Sequence, residues 1–257
     1  MEAQMRKFVI FIINHLVPVA IIFNVILLFI PLPELLVDIG LILTWGFCLL
    51  LFFIVRNINE GFYTLPRKIL YLTLLLLALE ISYSRIIITF ESRIRMNPDT
   101  TFQFMYIINI ILTVTLMLLA FRFVRKRAAA TAEIAARIAL DSMNQKFFDI
   151  DNKAMSGSIT EEEAEIQKET VQKDIDFYSN LDGCSKLLTG NMKALIFLYV
   201  ISIAGGCLIG VIQYGYSIQS ALNIVSLPTM IAVICGSMCM TCLGACVAYN
   251  TIDVAED

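Results

Sequence analysis

Residues 135–151 read AARIALDSMNQKFFDID, five charged side chains set among strong helix formers, between two stretches dominated by apolar residues. That interruption decides the fold, because what lies on either side of it is too apolar for water. The 257-residue chain is 58% hydrophobic and only 16% charged, with 17 Phe, and its mean hydropathy is +0.79. A soluble domain of this size cannot cover such a composition with polar surface. About 20 apolar residues in a helix rising 1.5 Å per residue cross a hydrocarbon core of about 30 Å. Six runs meet that requirement: 8–30, 35–55, 69–90, 102–124, 194–212 and 222–248.

The predicted architecture is therefore all-α and polytopic. Residues 1–124 form a four-helix transmembrane bundle, 125–191 a cytoplasmic helical insertion, 192–250 a C-terminal transmembrane pair and 251–257 an acidic tail. Pro31-Leu32-Pro33-Glu34 makes the turn between the first two spans. Pro18 and Pro228 are tolerable inside spans, since neighbouring groups satisfy the backbone carbonyls they free. Arg6 and Lys7 precede an apolar run too long for a signal peptide and without a small-residue cleavage site, so that run reads as a retained anchor.

Orientation follows from the distribution of Lys and Arg rather than from the net charge of −3. With the N-terminus in the cytoplasm, 16 of the 19 basic residues fall on cytoplasmic segments and only Arg85, Arg93 and Arg95 fall outside. Both termini and the insertion are thus expected on the cytoplasmic side. The seven cysteines lie mostly within spans, where they behave as small apolar side chains. Cys235, Cys239, Cys242 and Cys246 form a stripe at helical spacing, read as packing; a metal site at the CxxC of Cys239 and Cys242 is the less favoured reading, because thiolates in lipid lack nearby bases. His15 is the only histidine. No nucleophile motif, phosphate-binding loop or basic nucleic-acid patch is present, so neither an enzyme, a cofactor site nor a nucleic-acid partner is expected.

Within the insertion, RAAATAEIAARIAL predicts a helix continuing from the fourth span to about Met143. Residues 149–158, with Asn152, Ser156, Gly157 and Ser158, predict its break. Thr160 followed by three glutamates predicts a capping box with Glu163, and Ala164, Val171, Ile175 and Tyr178 line one apolar face of the helix it opens. Asp182-Gly183 predicts that helix's stop. A single amphipathic helix of that length needs a partner: the preceding helix, the membrane-proximal surface or a neighbouring subunit.

Three segments in order, AARIALDSMNQKFFDID, EEEAEIQKETVQKDIDFYSNLDGCSKLLTGN and ISIAGGCLIGVIQYGYS, resemble the central signature of the flagellar and type III secretion export gate family, FHIPEP. Upstream, LVPVAIIFNVILLFIPLPELLVDIGLIL and TLPRKILYLTLLLLALEISYSRIII resemble the family's first three spans, so the likeness covers about residues 15–225. It departs where the family's Pro-Gly is replaced by Asn144-Gln145, an Arg by Leu76, an Asn by Glu80 and a late Gly-Asp by Gly190-Asn191. No counterpart of the family's last spans or its large cargo-receiving domain follows, so the resemblance is to the N-terminal membrane domain alone, truncated or divergent.

The resemblance implies an inner-membrane export gate, a homo-oligomeric ring working with other membrane components of the export apparatus and passing exported proteins on the energy of the proton gradient. It places Lys146 and Asp151 on positions that couple protons to export, and Arg137 on the arginine that precedes them. An Asp relays protons near neutrality only when desolvation or like charge lifts it from its ordinary range; Asp149 is close enough to help, and a solvated charge cluster is the plain alternative. Asp182 is either functional near the fifth span or a turn former with Gly183. Glu80 lies deep in the third span, where an ionisable group is costly; it serves either a proton path or a buried interhelical hydrogen bond, with Ser84 on its own face as partner and Arg85 on another. Ser202, Gly206 and Gly210 form a small-xxx-small ridge for close helix packing. Two other functions remain: a scaffold or assembly subunit without cargo reception, and a small proton-coupled transporter using Glu80, which inverted repeats would favour and the sequence does not display. In a background without native cysteines, Lys168→Cys in intact cells is expected to resist a membrane-impermeant maleimide and to react once the membrane is opened; labelling from outside would invert the topology.

Overall fold

The computed structural model describes residues 32–57, 63–89 and 105–251. Among these the chain is helical throughout and holds no strand. The elements are α1 (Glu34–Asn57), α2 (Leu65–Ile88), α3 (Met105–Phe123), a π-helical turn (Val124–Ala129), α4 (Ala130–Asp141), α5 (Met143–Met155), α6 (Glu161–Ile212) and α7 (Ile218–Tyr249). Five helical stretches among the described residues are long and apolar enough to cross a membrane. They coincide with the second to sixth expected spans. The first span, with His15 and Pro18, lies outside the described residues, as do Arg93, Arg95 and the acidic tail.

Helix α7 is the hub, packing against α1, α2, α3 and α6. Pro228 sits inside it without ending it. The outer faces of α1 and α3 expose Leu43, Phe47, Leu50, Ile108, Ile111 and Leu118, a surface suited to lipid and not to water.

The insertion differs from expectation in two places. Helix α5 continues past Asp149 to Met155, and the break falls at Gly157, whose φ is +73°. Gly157 N–H donates to Ala154 O and Ser158 N–H to Lys153 O, both at 3.0 Å. This paired closure needs a left-handed residue, and glycine supplies it without a Cβ penalty. The capping box opens α6 as the sequence indicates: Glu163 N–H donates to Thr160 Oγ1 at 3.2 Å and Thr160 N–H to the Glu163 carboxylate at 2.9 Å.

The second difference is larger. Helix α6 does not stop at Asp182-Gly183 but runs 52 residues without interruption into the membrane. Leu181, Ser185, Leu188, Met192, Leu195, Tyr199, Ser202 and Gly206, spaced alternately by four and three, are all buried. This is a heptad seam, and α2 fills most of it. Cys184 Sγ donates to Pro66 O (3.1 Å), Asn191 Nδ2 to Thr73 O (3.4 Å), and Ser202 and Ser84 share a hydroxyl hydrogen bond (2.7 Å). All three pairs are 118 residues apart in sequence, so the two helices run parallel in one register. Outside the lipid, burying a leucine such as Leu181 contributes about 1.5–3 kcal/mol, whereas a glycine inside a helix costs about 1 kcal/mol. Gly183 therefore loses.

At the outer end of the seam a Cβ on Gly206 would stand 2.9 and 3.0 Å from the two methyl carbons of Val225. Valine is stiff at χ1 and cannot swing clear. Gly206→Ala is expected to destabilise the purified protein by roughly 1–3 kcal/mol, and Val225→Ala in the same chain to recover a substantial part of that loss. Thermal unfolding of the two single variants and the double variant measures the coupling.

Candidate functional site

The candidate residues meet helix α6 at three separate levels. At its N-terminal end α5 packs on it, burying Ile150 and Ala164. An open groove of about 700 Å³ lies between the two, lined by Phe148, Met155, Asp151, Glu165 and Lys168. Asp151 accepts a salt bridge from Lys168 Nζ at 2.5 Å, the two side chains being 54% and 41% exposed. Lys146 and Asp149 are exposed on the same short helix. Arg137, one helix earlier, is exposed and bridges Glu133 at 2.6 Å within its own helix. The alanines Ala132, Ala135, Ala136 and Ala139 form the buried face of α4, through which that helix lies close against α6.

Fourteen residues beyond Lys168, about 21 Å along the helix, Asp182 accepts from Lys186 Nζ at 2.7 Å. That hydrogen bond, with the attraction of the same carboxylate, holds the Lys186 ammonium above its ordinary range. Ser185 Oγ donates to the Asp182 backbone oxygen at 2.8 Å. Asp182 is thus an interior helical residue, and the turn reading with Gly183 is corrected. Between these two levels Tyr63, just before α2, donates to Asp174 Oδ1 at 2.7 Å and stacks edge-on against Phe177 at 5.7 Å. The hydrogen bond to Asp174, then burial, push the Tyr63 hydroxyl up to about 12.

The third level is inside the membrane. Glu80 is buried, and neither carboxylate oxygen has a hydrogen-bond partner among the described residues. The expected partnership with Ser84 is not formed: Ser84 turns to Ser202 across the α2–α6 seam, because that register places the two hydroxyls opposite each other. Arg85 lies elsewhere on α2 and donates to Ser82 Oγ at 3.3 Å. The Glu80 carboxylate passes over Gly236 of α7, where an added Cβ would collide with Oε1. Beside it a cavity of about 20 Å³ is bordered by Ser84, Tyr199, Ser202 and Thr229, room for about one water.

These levels are not one site. Lys168 and Leu195, which borders the Glu80 cavity, are 27 residues apart on a continuous helix, about 40 Å. Of the packing residues, Ser202 faces α2 through Ser84, Gly206 faces Val225 of α7, and the Gly210 carbonyl accepts from Tyr216 N–H at 3.1 Å. The cysteine stripe lies on α7, with Cys242 Sγ donating to Cys48 O of α1 at 3.2 Å. No group of three or more His, Cys, Asp or Glu able to hold a metal occurs among the described residues.

Lys168, Tyr63 and Gly236 were not singled out by the sequence. Lys168 meets its partner across the turn between successive helices, and Gly236 meets Glu80 only through packing between helices distant in sequence. Asn191, noted only as a departure from the family pattern, is buried and reaches both Thr73 O and Met240 Sδ; its place three residues after Leu188 and four before Leu195, on one helical face, is the signal that could have marked it.

The FHIPEP family model matches residues 24–232. The chain is 32% identical over 219 residues to the flagellar biosynthesis protein FlhA of Borreliella burgdorferi, covering 81% of this chain and 31% of that protein. It is 32% identical over 211 residues to the FlhA of Bacillus subtilis, covering 80% and 31%, and 32% identical over 225 residues to that of Salmonella typhimurium, covering 83% and 32%. The chain thus spans about a third of the length of these curated relatives. No solved structure matches it. Because the Asp151–Lys168 pair is exposed, Asp151→Ala is expected to change stability by no more than about 1 kcal/mol in thermal unfolding, so any loss of function in that variant would not come from unfolding.

Proposed function

The chain belongs to the FHIPEP family, and from that premise we propose that it is an inner-membrane component of a bacterial flagellar or type III protein export apparatus. In this reading it forms the membrane part of an export gate, with both termini in the cytoplasm. Copies assemble as a homo-oligomeric ring beside other membrane components, and exported proteins pass under the drive of the proton gradient.

The observation that carries the reading is the single helix α6, which begins beside the Asp151–Lys168 pair and ends packed between α2 and α7 in the membrane. A gate driven by protons needs a protonatable group mechanically tied to the elements that open. In this reading Asp151 is that group on the strength of the family likeness, and its contact with Lys168 is the charge pair that movement of α6 makes or parts. Lys146 and Arg137 set the potential around it, and Asp182 holds the membrane-proximal turn of the same helix. Glu80 is a second protonatable group, inside the bundle. Ser202, Gly206 and Gly210 let the helices approach closely enough for a displacement to pass between them.

Deleting the gene is expected to abolish secretion of flagellar or type III substrates, and the wild-type chain to restore it. Asp151→Ala, present in the membrane at the normal level, is expected to leave secretion abolished, measured as exported substrate in the culture medium. Secretion that persists with Asp151→Ala but fails on deletion would make the chain a scaffold subunit. Secretion unaffected by deletion would remove it from export altogether.

A further inference from the structure

A groove of about 670 Å³ lies between α1, α3 and α7, walled by Trp45 and Phe52 of α1, Leu116 and Phe123 of α3, and Ile234 and Ala245 of α7. From Ile234 to Ala245 it extends about 16 Å along α7, roughly half of the ~30 Å hydrocarbon core and hence the depth of one leaflet. Two of the polar atoms in its wall are already engaged: Thr241 Oγ1 donates to Ser237 O at 2.8 Å and Cys242 Sγ to Cys48 O at 3.2 Å.

One end of the groove is strongly basic. Arg56 follows Phe52 by four residues and Arg122 follows Leu119, another wall residue, by three, so each continues the helical stripe that lines the groove. Both are exposed, and Arg125, Lys126 and Arg127 follow on the π-helical turn. Residues 39–57, 105–132 and 218–251, which supply these walls and this end, contain no Asp or Glu. An apolar slot one leaflet deep that opens among arginines, with no acidic residue on the described stretches that build it, is complementary to a lipid with a long tail and a negative head.

We propose that the groove binds an acyl chain of an anionic phospholipid, with its phosphate headgroup against Arg56 and Arg122. The lipid belongs to the leaflet on the side of the insertion and fills the gap between α1 and α3 that protein side chains leave open. Its headgroup adds negative charge beside the π-helical turn, where the chain turns from the membrane into α4.

The chain has a single tryptophan, and Trp45 is in the groove wall, so its fluorescence reports the occupant directly. The protein is reconstituted in phosphatidylcholine vesicles carrying a minor fraction of lipid brominated in mid-chain, either as phosphatidylglycerol or as phosphatidylcholine. Brominated phosphatidylglycerol is expected to quench Trp45 at a lower mole fraction, by roughly fivefold for each arginine contact. In the double variant Arg56→Gln, Arg122→Gln the two headgroups are expected to quench alike. Equal quenching in the wild-type chain would reduce the occupant to general surrounding lipid and overturn the proposal. No quenching by either lipid would mean that protein fills the groove, from residues 8–30 or from a second copy, and would overturn it as well. A preference that survives in the double variant would overturn the assignment of the headgroup to these arginines.

Discussion

The seam between α2 and α6 is the contact on which the other parts of the molecule depend. Its buried positions alternate by four and three from Leu181 to Gly206, and the same sequence offset recurs from Cys184 with Pro66 to Ser202 with Ser84. Lipid offers no hydrophobic drive for helices to associate, so close packing and interhelical hydrogen bonds must hold the membrane half of the seam. In the half outside the membrane, burial of Leu181 and Phe177 does the same work through water. One stripe therefore meets two solvents, and its composition changes accordingly, from leucine and aromatic residues to Ser202, Gly206 and Gly210.

A second pair of parallel helices repeats the arrangement. Asn109 Nδ2 of α3 donates to Ser226 Oγ of α7, and Asn223 Oδ1 of α7 accepts from Tyr106 N–H, again with one shared offset of 117 residues. Buried amides and hydroxyls tolerate only those alignments in which they meet, since a polar group left alone in an apolar interior costs roughly 1–3 kcal/mol. They fix the register that interchangeable leucines would leave loose. Glu80 stands apart from this rule, buried with no hydrogen bond among the described residues and pressed over Gly236.

The second to sixth spans, the polar insertion and the capping box at Thr160 were legible in the sequence, because each rests on a local signal: hydropathy over about 20 residues, or one side chain satisfying one amide. The two misplaced helix ends share a different cause. Asp182-Gly183 has the chemistry of a stop, and only the seam with α2, formed with residues more than 100 positions earlier, overrides it. Residues 149–155 contain Asp and Asn, which take up a left-handed turn only against a Cβ penalty, whereas Gly157 takes it up freely and sets the end. For the candidate site, the charged types and their order were readable, while their separation along α6 was not. Pairings such as Asp151 with Lys168 and Ser84 with Ser202 are set by which helices lie together, and one sequence does not encode that in any short window.

An unbroken rod with one end in the bilayer and the other outside it has the geometry of a lever pivoting on the buried stripe near Leu195. The arm from there to Lys168 is about 40 Å, so a tilt of about 5° would sweep the outer tip through about 3.5 Å, the width of an ion pair. A small rotation of the buried stripe would thus be magnified, at the far end of the helix, to the scale of the contact between Asp151 and Lys168.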